Sequence, residues 1–211
     1  MHTLNLPAVP ALIIIADYFL SQCALLEVLH LHSGGASTRG RRMTLGSHFC
    51  LACSSLKTVD LPKLASISII PMLFMYKCTS LAKLDISHMT KVTQIDQDFC
   101  GENVNLETLI LPPTFVNIKI LGPRFLKNCA SLNHSLQLHQ MRELSSVGAE
   151  FMLGCPSGDR IIDDAGGGEA NGSSTHDDIA PILRKALTMR SEDEAKEREK
   201  KKISNEGCVL Q

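Results

Sequence analysis

Apolar side chains recur along this chain at a period far longer than that of a helix or a strand. Phe stands at 19, 49, 74, 99, 125 and 151, in steps of 30, 25, 25, 26 and 26 residues, and only Phe115 falls outside the series. Four residues after these anchors come Cys23, Cys53, Cys78, Asn103, Cys129 and Cys155. Seven residues after them come Leu26, Leu56, Leu81, Leu106 and Leu132. Each unit continues with an alternating pair: Leu29/Leu31, Val59/Leu61, Leu84/Ile86, Leu109/Leu111 and, displaced by one residue, Leu136/Leu138. It closes on two further apolar positions, as in Leu12/Ile15, Ile67/Ile70, Val92/Ile95, Ile118/Leu121 and Leu144/Val147, with Arg42/Leu45 the weak case. Leu4 and Leu6-Pro7 fit the strand of a truncated first unit, so the array starts in mid-repeat.

A Leu-x-x-Leu-x-Leu segment alternates sides as a short strand, which turns the leucines inward and the residues between them outward. One such unit has nothing against which to bury its apolar side. Stacked units pile like residues on like, so the spacing predicts an interior column of Phe beside columns of Cys and Leu. Burying one Leu or Phe is worth roughly 1.5–3 kcal/mol before the entropy of ordering the chain is subtracted. The pattern places Val28, His30, Thr58, Asp60, Lys83, Asp85, Thr108, Ile110, Ser135 and Gln137 on the outer face of the sheet. That face mixes both charge signs and suits a protein partner whose identity the sequence does not reveal.

Units of this form resemble the BspA-like, or Treponema-type, leucine-rich repeat, most closely over Phe74 to Leu81 and over Cys53 to Pro62. The resemblance covers about residues 4–157; Asn103 in the Cys series and the insertion near 33–42 depart from it. It implies a curved α/β leucine-rich-repeat solenoid over 1–157, with short parallel strands on one face and short helical or irregular turns on the other. It further implies a molecule used for binding rather than chemistry.

Composition narrows the chemistry. Aromatics are 4% of the chain and Trp is absent, which argues against a core built on large rings. The formal charge of -1 divides into 12 Lys/Arg against 10 Asp/Glu over 1–157 and 9 against 12 over 158–211, so neither part predicts a nucleic-acid partner. Cys50 and Cys53 have the Cys-x-x-Cys spacing of redox and zinc sites, but Cys53 is already accounted for by its column and no second pair lies near it in sequence. His30 and His32 alternate with leucines as outward strand residues and lack a third ligand at matching spacing. The loop 33–42, with Arg39, Arg41 and Arg42, reads as a solvated insertion. The apolar run from Ala11 to Leu20 lacks a cationic leader, carries Asp17 and keeps the repeat register, so it reads as structure rather than as a signal peptide. No catalytic residue, metal site or bound cofactor is expected.

The repeat is lost after 157. Gly, Asp and Ser over 158–176 predict a flexible linker. An amphipathic, increasingly charged helix is expected over 177–203, with Ile179, Ile182, Leu183, Ala186 and Leu187 on one side. Ser191 and Glu194 have the spacing of a capping box, and Glu192/Lys196, Glu194/Arg198 and Glu197/Lys201 that of helical ion pairs. This helix could dock on the last repeat or lie on a membrane.

The tail 204–211 ends in Cys208-Val209-Leu210-Gln211, which fits a prenylation signal whose terminal Gln points to a farnesyl group. A prenyltransferase is then the modifying enzyme, a covalent farnesyl lipid the expected addition, and the cytosolic side of a membrane the expected place. One lipid chain anchors only marginally, so a second signal is required. Lys196, Arg198, Lys200, Lys201 and Lys202 supply it as a basic cluster suited to an anionic membrane surface. The competing readings are a secreted or surface adhesion protein, which would use the sequons at Asn133 and Asn171, and a truncated fragment of a larger repeat protein.

Overall fold

The computed structural model describes residues 2–7, 14–32, 43–134, 136, 138, 141, 143–157 and 181–207. The chain winds into a parallel-strand β-solenoid of about five turns, followed by one long helix. The linker 158–176, the loop 33–42, the start of the expected helix at 177–180, and Ser135, Gln137 and Cys208 lie outside the described residues.

Parallel strands line two faces of the coil, and each face is broken into two sheets. The alternating Leu pairs form β1 (Thr3–Leu6), β3 (Val28–Leu31) and β5 (Thr58–Asp60), paired in that order, and β7 (Lys83–Asp85) paired with β9 (Thr108–Ile110). The register places Leu4 beside Leu29 and Leu29 beside Val59, then Leu84 beside Leu109, so like residues stack as the spacing requires. Pro62 and Pro113 open five-residue 3-10 turns, Pro62–Ser66 and Pro113–Asn117, at positions where a missing N–H costs nothing.

The opposite face differs from expectation. Helical or irregular turns are the expectation there, and it holds parallel strands as well, in one two-stranded and one four-stranded sheet. Its strands are β2 (Ile14–Ile15) with β4 (Thr44–Leu45), and β6 (Ile69–Ile70), β8 (Gln94–Ile95), β10 (Ile120–Leu121) and β11 (Ser146–Val147) in sequence. The physical cause is a two-residue alternation: Ile15, Ile70, Ile95 and Leu121 are 0–4% exposed, whereas the residue before each points outward, as do Ile14 at 62% and Ile69 at 45%. The gap between β4 and β6 traces to Pro71. In other turns the residue at this position donates its N–H to the preceding turn, as Gly46 does to Ile15 C=O (2.7 Å), Asp96 to Ile70 C=O (2.9 Å) and Gly148 to Leu121 C=O (2.8 Å). Proline has no N–H to give.

The Phe column is present. Rings of Phe19, Phe49, Phe74, Phe99, Phe125 and Phe151 stack with centroids 5.7, 5.3, 5.8, 5.3 and 5.7 Å apart and planes within 17°. Each offset pair is worth about 0.5–1.5 kcal/mol beyond the area it buries. The backbone carrying these rings is not a strand. Residues one before, one after and three after each Phe have positive φ, for example Leu73 (58°), Met75 (52°) and Lys77 (60°), or Asp98 (59°), Cys100 (51°) and Glu102 (61°). Left-handed backbone costs a non-glycine residue about 1–2 kcal/mol. Here it aims three N–H groups along the coil axis at each junction. Leu73 donates to Gln97 C=O (3.0 Å), Lys77 to Gly101 C=O (3.0 Å) and Cys100 to Phe74 C=O (3.0 Å), and the same three bonds recur at all five junctions. A lone turn would carry the strain without the bonds, so this strip exists only in the stack.

The far end is closed by α1 (Pro181–Gly207), one continuous helix. Leu183, Ala186 and Leu187 are 1%, 9% and 7% exposed against the last turn, which settles in favour of docking the choice that the amphipathic pattern left open. Ser191 lies inside this helix and caps nothing; Glu194 turns instead to the solenoid, accepting from Gly154 N–H (3.4 Å). In the preceding turn the corresponding donor, Asn128 N–H, bonds the next turn's Leu153 C=O (2.7 Å). Glu194 therefore takes the acceptor's place that a next-turn carbonyl fills for Asn128. Arg190 adds a bond from its guanidinium to Cys155 C=O (3.1 Å) and an ion pair to Glu194 (2.9 Å). Of the expected helical ion pairs, Glu194/Arg198 forms at 3.8 Å, and Lys196 pairs with Asp193 at 3.4 Å.

Candidate functional site

The first candidate is the outer face of the β1/β3/β5 and β7/β9 sheets. Strand alternation brings Asn5, His30 and Asp60 into one row, and places Asp85 beside Ile110 and Lys83 beside Thr108. His30 Nδ1 lies 3.6 Å from Asp60 Oδ2, with side chains 31% and 54% exposed, which makes this a surface pair worth at most about 1 kcal/mol. The His30 and His32 rings stack at 5.9 Å. A hydrogen bond with the Ser87 side chain, reinforced by one from the Ser87 backbone N–H (3.0 Å), holds the Asp85 carboxyl below the usual carboxylate range.

Val28 departs from the expected set. Alternation assigns it an outward place, yet it is 5% exposed, because Thr3 and Thr58 flank it in register on both sides. His30, Thr58, Asp60, Lys83, Asp85, Thr108 and Ile110 keep some exposure. Beyond β9 the sheet is not continued by another described strand. The His134 ring sits at that edge instead, with Nδ1 3.1 Å from Glu107 C=O and Nε2 3.2 Å from Leu109 C=O, where a strand's N–H groups would otherwise donate. A cleft of about 480 Å³ adjoins it, lined by Ile110, Pro112, Phe115, His134, Leu136 and Met141 among others.

The cysteine column is structural. Cys53 S–H donates to Leu20 C=O (2.9 Å), Cys78 to Cys50 C=O (3.1 Å) and Cys129 to Cys100 C=O (3.1 Å), each reaching the carbonyl of the residue after the previous Phe. Asn103 does the same through Nδ2 to Met75 C=O (2.9 Å) and also accepts Cys78 N–H at Oδ1 (2.7 Å). The departure seen in the sequence thus fills the same place with a stronger donor. Burial pushes the Cys50, Cys100 and Cys129 thiols upward, which keeps them protonated. Cys50 and Cys53 are both fully buried, and among the described residues no group of three or more His, Cys, Asp or Glu is placed to hold a metal.

A polar network on the flank of the Phe strip went unread in the sequence. Arg124 grips Asp98 through two bonds (2.6 and 2.7 Å), Lys127 pairs with Glu150, and Asn128 Nδ2 donates to Glu102 (2.9 Å). Asp98, Arg124 and Glu150 each stand one residue before a Phe, so opposite charge at one register in successive units was the available signal.

At the C-terminal end, Lys196, Arg198, Lys200, Lys201 and Lys202 are exposed on α1. Among the described residues no helix is long and apolar enough to cross a membrane. Set against protein-family models, curated proteins and solved structures, the chain gives no significant match.

Proposed function

We propose that this chain is a leucine-rich-repeat protein of the BspA-like type, a non-enzymatic protein-binding module held at the cytosolic face of a membrane by a farnesyl group on Cys208. The observation that supports the repeat reading is the Phe column with its Cys/Asn donors, both at a 25- or 26-residue spacing from Phe49 and Cys53 onward. In the prenyltransferase the Cys208 thiolate attacks the first carbon of the isoprenoid diphosphate, a C–S bond forms and diphosphate leaves. The apolar stripe of α1 is spent on the solenoid, so the helix meets a bilayer only through its basic side chains. Residues 196–202 hold five basic and two acidic groups, and each lysine near an anionic leaflet adds about 1 kcal/mol to the lipid's marginal grip. The protein partner is assigned to the sheet face around His30, Asp60, Lys83 and Asp85.

Metabolic labelling with a clickable isoprenoid tests the anchor. Wild type is expected to take label and fractionate with membranes, and Cys208→Ser to do neither. Unlabelled wild type that fractionates like Cys208→Ser removes the anchor. A glycan on Asn133 in the intact mass would favour the secreted adhesion reading.

A further inference from the structure

Where one Leu-x-Leu strand meets the next, the junction is built on a repeated backbone bond. His2, Glu27 and Ala82 C=O each accept two consecutive amides of the following turn: those of Glu27 and Val28 (2.9 and 3.2 Å), Lys57 and Thr58 (2.9 and 3.2 Å), and Glu107 and Thr108 (2.8 and 3.1 Å). The register puts Glu107 in the place of Ala82, and Leu109 in that of Leu84. At Glu107 the donor comes from a side chain. His134 Nδ1 lies 3.1 Å from Glu107 C=O, and Nε2 of the same ring lies 3.2 Å from Leu109 C=O. The ring has a firm mount, because the hydroxyl of the fully buried Ser157 lies 2.7 Å from His134 C=O and 2.9 Å from Leu132 C=O.

A carbonyl oxygen only accepts, so both ring nitrogens must carry hydrogen for both bonds to form. A neutral imidazole has one N–H, and its other nitrogen would turn a lone pair on a carbonyl oxygen. Changing the tautomer merely moves the clash to the other carbonyl. Rotating the ring by half a turn presents C–H groups in place of both nitrogens. The imidazolium alone supplies two N–H donors here, and a charged donor makes the stronger bond. Charge around the ring is sparse. Glu107 is the carboxylate on the strand that the ring caps, Lys83 and Asp85 lie one strand away on β7, and the last turn presents the Ser157 hydroxyl. Among the described residues that line the adjoining cleft of about 480 Å³, His134 is the one titratable side chain.

We propose that His134 is a pH-sensitive latch on the outer edge of β9, closed by the imidazolium and released when the ring loses its proton. Histidine changes charge between about pH 5 and 8. The donor count fixes the sign: both bonds stand at the acidic end of that range, and at least one is lost at the alkaline end. Release bares a carbonyl on β9 and frees the ring to swing away from the cleft wall formed by Ile110, Pro112, Phe115 and Met141. The latch operates whether or not a protein partner uses the sheet face.

Nitrogen-15 spectroscopy of the histidine side chains in the unmodified full-length chain, assigned through the backbone, is the test. At about pH 5 both ring nitrogens of His134 should carry hydrogen and couple to the carbonyl carbons of Glu107 and Leu109; at about pH 8 one nitrogen should be bare and its coupling gone. Amide exchange at Thr108 and Ile110, corrected for its intrinsic pH dependence, should then quicken about two- to tenfold, the weight of one hydrogen bond. In His134→Ala that exchange should be fast at both pH values. A ring in the same protonation state at both values overturns the proposal, as do carbonyl couplings that are absent throughout, or a pH-dependent exchange that persists in His134→Ala.

Discussion

At position 103 an asparagine does the work that its column neighbours assign to cysteine, and the comparison shows what the column is for. Its Nδ2 satisfies Met75 C=O, and its Oδ1 satisfies Cys78 N–H, both inside a fully buried site. Asn103→Ala strands two buried backbone groups, at about 1–3 kcal/mol each, and should cost about 2–6 kcal/mol in urea denaturation. Asn103→Cys restores the donor, so it should cost markedly less. Equal losses for the two substitutions would show that the column is packing alone. The same logic governs reactivity: Cys50, Cys53, Cys78, Cys100, Cys129 and Cys155 are buried, and a thiol reagent should modify them only after denaturant is added. Fast modification of all six in the native protein would contradict the burial. The column's existence was legible in the spacing, but its purpose was not. The carbonyls it serves belong to Leu20, Cys50, Met75 and Cys100, residues at or near left-handed φ whose unremarkable side chains announce nothing about their backbone.

Among the elements, the Leu-x-Leu strands were readable because alternation over several residues leaves a clear mark. The second sheet was not, since strands of two residues such as Ile69–Ile70 are too short to show a period. Proline explains where that sheet parts. Pro71→Gly supplies the missing N–H to Leu45 C=O, and the gain of about 0.5–1.5 kcal/mol is largely cancelled by the looser unfolded chain. Global stability should therefore change little, yet the new amide at 71 should exchange as slowly as that of Asp96, which already bonds Ile70 C=O at 2.9 Å. Rapid exchange at 71 would mean that the sheets part for another reason. The tail helix was visible in its apolar stripe, while Ser191 and Glu194 were read as a local cap because sequence spacing cannot tell a helix start from a helix interior that faces a neighbour. Leu183, 1% exposed, anchors the dock, so Leu183→Ala should cost about 2–5 kcal/mol. Hydrogen exchange should place that loss in α1 and the last turn and leave the turns around Phe49 and Phe74 unchanged.

In the whole molecule, turns contact only their neighbours, so stability is a sum of turn and junction contributions that can differ along the axis. All five junctions share the Phe stack and its three backbone bonds, but they do not share the sheets: β4 is unpaired with β6, and β5 with β7. The turn that holds β5 and β6 is thus coupled through one sheet on each side, whereas the turns holding β8, β9 and β10 keep more of both. The ends sharpen the contrast, because Glu194, Arg190 and Leu183 close the last turn while Phe19 and Leu26 stay partly open at the first. Opening should start at β1 and β3 and proceed toward β5 before the Phe99 to Phe151 block yields. Hydrogen exchange in low urea reads this directly: amides of Leu29 and Leu31 should open at a lower free energy than those of Leu109 and Leu121, and a reduced urea slope should mark the partial step. If every turn opened together, or the α1 end opened first, the unequal junctions would carry no energetic weight and the continuous Phe strip alone would set the molecule's cooperativity.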